Sequence, residues 1–285
     1  MLTHMTMGIL LSAGVIWAAE NHAAKGIVLK ADRARHLLTV SCEAIPQYMD
    51  AMEMEFDVHD GEALNGLKTG EAVSFTIVEH GHTLYAEDIR EIAAANFEAE
   101  PMAAGQLSAL KGVLDPTVQE LSIGQRVPDF ALTDQAGQTI HLEQFEGKVV
   151  ALTFGYSRCP NPTYCFRLSN NLAKVEQRFH TRAGRDLVLL TIMIDPEHDQ
   201  GATLTQYANV WKADPASWHF LTGPREEIKQ IAGMFGMNFW SVDGLVTHTL
   251  RTVIIDRHGQ LAVNLEGNQF TPQELGDLVR TVMDR

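Results

Sequence analysis

Two uninterrupted apolar runs constrain this chain most: Val149–Phe154 reads VVALTF and Leu187–Ile194 reads LVLLTIMI. A strand with one wet face alternates apolar and polar residues. A run without alternation is covered on both faces, which happens when helices lie above and below a sheet. The segment between the runs supplies such a helix, because Leu168, Leu172, Val175 and Phe179 recur at helical spacing. Helical patterns also cover Leu204–Trp211 and Glu226–Phe235. Thr252–Ile255 and Leu261–Leu265 flank Asp256-Arg257-His258-Gly259, the signature of a hairpin. The last helix begins with Thr271, Pro272 and Glu274, a capping box with proline at the first helical position. Residues 121–285 thus predict an α/β unit, a mixed sheet with helices on both faces.

The chain has 285 residues, enough for about two domains. Residues 24–92 carry the second pattern. Short strand signals at Gly26–Lys30, Leu37–Cys42, Met52–His59, Ala72–Glu79 and Thr83–Ile89 are separated by turns such as Asp60-Gly61, Thr69-Gly70 and His80-Gly81. Five short strands with close turns predict a small all-β barrel. Residues 93–120 are rich in Ala and Glu and include Pro101, which reads as a linker. Ile9–Ala19 is apolar but too short to span a bilayer. It fits a signal peptide over residues 1–19, or an uncleaved anchor. Export from a bacterium would place the chain in the periplasm, where thiols can be oxidised. A net charge of −14 argues against nucleic-acid and anionic-lipid partners.

Three cysteines, Cys42, Cys159 and Cys165, are too few for a disulfide scaffold. Cys159 and Cys165 follow the first apolar run in GYSRCPNPTYCFRLS. They occupy the turn from strand to helix, where ligands gather and the helix dipole favours thiolate. On a continuous helix their C-x5-C spacing would point them apart. Pro160 and Pro162 make a loop there, so the thiols can converge on a disulfide or a soft metal ion. His248 precedes the strand at 252–255. If that strand runs antiparallel to Val149–Phe154, His248 reaches the same sheet end. It then reads as a third ligand or as an ordinary loop histidine; two thiolates and an imidazole suit Cu(I), Cu(II) or Zn(II).

At this point residues 121–285 resemble the SCO/SenC family of thioredoxin-like copper proteins. The resemblance rests on VPDFALTDQAGQTIHLEQFEGKVVALTFGYSRCP, the run Ile194–Asp199, the segment from Trp218 to Gly223 and the Thr247-His248 pair. It implies a thioredoxin-like fold, copper ligation by Cys159, Cys165 and His248, and delivery of copper to the binuclear centre of cytochrome c oxidase. The family spacing is C-x3-C, so the loop here is two residues longer and Cys165 carries over less directly than Cys159.

The first domain holds Met49, Met52 and Met54 downstream of Cys42. Thioethers are soft Cu(I) ligands. Met52 and Met54 share a strand face with Phe56 and Val58, so they equally read as core filling. Residues 25–92 resemble the CusF-type copper-binding domain, a five-stranded barrel of the OB type. That resemblance implies a Cu(I) site at Met52 and Met54, with Cys42 where the family has a histidine and Met49 where some members place an aromatic cap.

Two functions follow. One is an exported copper chaperone acting on cytochrome c oxidase or another periplasmic cuproprotein. The other is a thiol-disulfide oxidoreductase, with Cys159 attacking a partner's disulfide and Cys165 resolving it. Asp195, Glu197 and Asp199 read either as support for the site or as an acidic turn. His80 and His82 read as exposed turn residues.

Overall fold

The structure, a computed structural model, describes residues 21–92 and 119–285 apart from Asn161, Asp243 and Gly244. The expected signal peptide and most of the expected linker lie outside the described residues. Among the described residues, no helix is long and apolar enough to cross a membrane.

The first unit is a closed barrel of β1 (His22–Asp32), β2 (Leu37–Cys42), β3 (Met52–Asp57), β4 (Ala72–His80) and β5 (Thr83–Glu91), in the order β1-β2-β3-β5-β4. Val28, Leu38, Val40, Phe56, Val73, Phe75 and Ile77 fill it. The alternation fails in the run Ile27-Val28-Leu29, and the packing explains why. Val28 points into the barrel, while Ile27 and Leu29 point outward into the core of the second unit. Both faces of β1 are buried along this run.

The second unit begins with a hairpin, β6 (Ala131–Thr133) and β7 (Thr139–His141). Its sheet contains β8 (Val149–Gly155), β9 (Leu187–Met193) and β10 (Trp218–Leu221) in parallel, then β13 (Arg251–Ile255) and β14 (Leu261–Glu266), in the order β10-β9-β8-β13-β14. β13 runs antiparallel to β8, and β14 antiparallel to β13. Helices α1 (Arg167–Arg178), α2 (Gly201–Val210) and α4 (Pro272–Met283) pack on the face presenting Val149, Ala151, Leu187 and Leu189. Helix α3 (Arg225–Met234) packs on the face presenting Val150, Leu152, Val188 and Leu190. The two apolar runs are therefore strands with helices on both sides, in a thioredoxin-like arrangement. The capping box opens α4, with Thr271 accepting from the Glu274 amide and Glu274 accepting from the Thr271 amide.

Sequence patterning misses β10 and a hairpin formed by β11 (Phe239–Val242) and β12 (Leu245–His248). Each of these strands is only four residues long, too short to show a period. β10 is defined by its parallel pairing with β9, and the Trp218 indole donates to Thr191 Oγ1 at 3.0 Å. His248 consequently ends a strand rather than lying in a plain loop.

Candidate metal centre

β8 is buried along its whole length and ends at Gly155. The chain then leaves the sheet through Tyr156, Ser157, Arg158 and Cys159. The acidic segment after β9 anchors this turn. The Ser157 amide donates to both carboxylate oxygens of Asp199, at 3.3 and 3.1 Å, and the Ser157 hydroxyl donates to the same carboxylate. Arg158 donates from Nε and Nη2 to Asp195 Oδ2 at 3.0 and 2.7 Å. Both carboxylates are buried, and burial raises the Asp199 pKa above the usual carboxylate range. Asp195 and Asp199 thus support the cysteine turn, whereas Glu197 pairs with Arg225 at the start of α3.

Beyond Cys159 the backbone forms a wide π-type turn at Pro162–Phe166, which carries Cys165, and then enters α1. Such turns widen a helix start and often occur at functional sites. The turn brings the two sulfurs into mutual hydrogen-bonding reach. That hydrogen bond, followed by burial, holds the Cys165 thiol well above the usual thiol range. Cys165 is 1% exposed, whereas Cys159 is part-exposed. All three cysteines of the chain are thiols in the structure.

His248 arrives from the opposite side, in register with Phe239. It is buried, and its ring meets Tyr156 edge to face with centroids 5.8 Å apart. Its Nδ1 lies 2.8 Å from the Thr249 carbonyl oxygen. A carbonyl only accepts, so Nδ1 carries a proton, and in the neutral imidazole the lone pair is on Nε2. That Nε2 is 3.7 Å from Cys165 Sγ. A backbone partner on the far ring nitrogen is the arrangement that orients imidazole metal ligands. Tyr156 and Tyr207 wall the site. Burial, reinforced by the nearby cysteines, raises the Tyr156 hydroxyl, and burial pushes that of Tyr207 up to about 12. Tyr156 is foreshadowed by its place directly after β8; nothing in the sequence singles out Tyr207.

The structure thus brings Cys159, Cys165 and His248 together, with Cys165 and His248 buried and Cys159 part-exposed. Two sulfurs and one imidazole nitrogen form a soft donor set that fits copper better than a hard cation such as Mg²⁺.

In the barrel, Cys42 lies directly opposite Met52, and Val40 opposite Met54. Directly opposed residues of an antiparallel pair share a face, so Cys42, Met52 and Met54 are neighbours at one end of the barrel. Their surroundings differ along that face. Cys42 is fully buried, Met54 is part-buried, and Met52 is 48% exposed. Met52 is therefore not core filling, although Phe56 on the same face is. Burial, then the charge of Glu274, pushes the Cys42 thiol up to about 12. Met49 packs against the same cluster.

Comparison with known proteins agrees with both halves. The SCO1/SenC family model matches residues 119–284, and the model "Copper binding periplasmic protein CusF" matches residues 21–91. An SCO2-like protein of Rickettsia felis is 25% identical over 139 residues, covering 46% of this chain and 65% of that protein. The mitochondrial SCO2 homolog of Bos taurus is 25% identical over 173 residues, covering 58% of this chain and 62% of that protein. The chain therefore spans a little under two thirds of the length of these two relatives. A SCO1/SenC family lipoprotein from Bacillus anthracis shares the fold of the second unit, with a TM-score of 0.51 and 24% identity over 57% of this chain and 95% of that one. With its family model covering more than half of the sequence, the chain belongs to the SCO1/SenC family, and it carries a CusF-like barrel ahead of its thioredoxin-like domain.

Proposed function

We propose that this protein is an exported copper chaperone that holds copper through Cys159, Cys165 and His248 and passes it to the binuclear copper centre of cytochrome c oxidase. The observation that carries this reading is the approach of His248 Nε2 to Cys165 Sγ at 3.7 Å, with Nδ1 committed to the Thr249 carbonyl. Copper is cargo here, and thiolate and imidazole donors release it by ligand exchange to a competing donor set. Binding requires the thiols to lose their protons, so loading releases protons to solvent. The barrel provides a second Cu(I) position at Met52 and Met54 with Cys42. The exposed thioether of Met52 is the accessible donor, and the buried thiol of Cys42 completes the set after deprotonation. The acceptor is a cuproprotein outside the cytoplasm, a choice supported by the two matched families.

The test is copper titration of the reduced full chain, with X-ray absorption reporting the ligands. One equivalent bound with sulfur and nitrogen scattering is expected at the second unit. The double variant Cys159→Ala/Cys165→Ala should lose that equivalent and keep the barrel's. Unchanged stoichiometry would exclude the site.

A thiol-disulfide role is the second reading, favoured by the asymmetry of the pair. Cys159 is the more exposed thiol and suits attack on a partner; buried Cys165 suits resolution. Disulfide reduction by copper-free protein, with loss of activity in Cys159→Ser, would support it.

A further inference from the structure

We propose that the outer wall of the barrel carries a separate site for a borderline divalent cation, Cu(II) above all, built from His59, His80 and Glu87. This inference is independent of the sulfur sites. The three residues come from three stretches of chain: His59 two residues past β3, His80 at the end of β4, and Glu87 within β5. Their ligand atoms all lie within 4.8 Å of one another. His59 Nε2 is 3.2 Å from Glu87 Oε1. Tyr85 orders both imidazoles: His59 stacks on its ring at 4.3 Å and 13°, and His80 meets it edge-on at 5.6 Å.

The strand register puts His80 and Glu87 on one face of the barrel wall. Val78 of β4 opposes Tyr85 of β5. His80 is two residues beyond Val78, and Glu87 is two beyond Tyr85, so all of them share one face. That face is the outer one, because Val73, Phe75 and Ile77 fill the interior. A parallel bridge between Asp57 and Tyr85 then brings the end of β3, and hence His59, alongside.

The donor set decides the ion. Two imidazole nitrogens and one carboxylate oxygen are borderline-to-hard donors, with no sulfur. They suit Cu(II) and Zn(II), with Cu(II) held tighter by the usual order of divalent affinities, and they suit Cu(I) poorly. The exposure of both histidines leaves coordination positions for water, and therefore for exchange. The chain's net charge of −14 also favours cations. Met52 starts β3 and His59 lies past its end, so this site and the thioethers occupy opposite ends of the strand. The second carboxylate–imidazole group, Asp129, His141 and Glu143, carries less: it has one imidazole, and Asp129 already accepts from the His141 ring and the Glu143 amide.

The test uses the full chain with Cys159→Ser and Cys165→Ser, which removes the thiol pair open to oxidation by Cu(II) and leaves only the buried Cys42. Titration followed by electron paramagnetic resonance should give one Cu(II) with hyperfine structure from two imidazole nitrogens. Adding His59→Gln and His80→Gln should remove that equivalent and leave Cu(I) stoichiometry at the barrel unchanged. Glu87→Gln should weaken Cu(II) affinity about tenfold or more while keeping the nitrogen signature. His180→Gln, an exposed histidine elsewhere, should change nothing. The same Cu(II) stoichiometry in the double histidine variant, or an equal loss in His180→Gln, would overturn the proposal. Unaltered far-ultraviolet circular dichroism in each variant separates loss of the site from loss of fold.

Discussion

At the scale of single residues, chemistry is set by burial and by the nearest partner. Three cysteines in one chain are not three equivalent thiols. Cys165 is held protonated by its hydrogen bond to Cys159 and by burial, and Cys42 by burial first and Glu274 second. Cys159 is the exposed member of its pair. Thiolate is the nucleophile, so alkylation rates should follow this order. Brief iodoacetamide treatment of the copper-free, reduced protein at neutral pH should label Cys159, with Cys42 and Cys165 labelled only on unfolding. Peptide mass spectrometry reads the result, and comparable labelling of Cys165 would contradict the burial argument. His248 illustrates a different point. Its 2.8 Å contact to the Thr249 carbonyl orients the ring so that Nε2 faces Cys165 Sγ. A histidine in the sequence announces neither.

At the scale of elements, the segment 156–159 ahead of the π-type turn is held by its neighbour after β9. Asp199 receives two donors from Ser157. Asp199→Ala should cost about 1–3 kcal/mol, the range for leaving buried donors unmatched, and should speed Cys159 alkylation as the turn loosens. Denaturant melts and labelling rates test both effects together. The start of α4 gives a pH dependence whose sign can be worked out. Burial raises the Glu274 pKa from 4.5 to about 7 despite its capping hydrogen bonds. The folded state therefore holds a proton that the unfolded state has released across that interval. The native state gains relative stability below pH about 4.5 and loses it as pH rises through about 7. The loss is on the order of 3 kcal/mol, from about 1.4 kcal/mol per pH unit. The difference in unfolding free energy between the native chain and Glu274→Gln should fall across this window, and a flat difference would contradict the assignment.

At the scale of the whole molecule, barrel and α/β unit are joined by a buried contact. Asp277 of α4 is fully buried and accepts from Ser41 of β2 at 2.7 Å and from Arg178 of α1 at 2.6 Å. Arg280 reaches both Glu53 of β3 and Asp277. Ile27 and Leu29 add apolar surface. Gly70 of the barrel sits so close to β14 that a Cβ there would lie 2.7 Å from Val263. Its backbone φ of +95° also favours glycine. Asp277→Ala removes the buried acceptor shared by Ser41 and Arg178, and leaving such donors unmatched costs about 1–3 kcal/mol. We expect the native chain to unfold in one denaturant transition and Asp277→Ala to separate into two. A single, merely shifted transition would mean that the apolar contact alone couples the units.

The sequence by itself determined the fold class of both units, because hydrophobic period and turn chemistry are local signals that survive without neighbours. VVALTF and LVLLTIMI had to be strands covered on both faces, and Thr271-Pro272-x-Glu274 had to open a helix. The pair Cys159 and Cys165 was nameable as a candidate site from residue type and spacing, and His248, Cys42, Met52 and Met54 were singled out as candidate ligands through the family resemblances. Tertiary structure alone decided which of them meet, and how. Convergence of Cys165 and His248 depends on β13 lying antiparallel beside β8, on a four-residue strand too short to carry a period, and on a π-type turn. The contrast between exposed Met52 and buried Cys42 depends on where the barrel mouth lies, which alternation along one strand cannot specify. The pairing of Asp277 with Ser41 and the gathering of His59, His80 and Glu87 join residues distant in sequence. Nothing local encodes such contacts, since they exist only once several strands and helices have packed in one register.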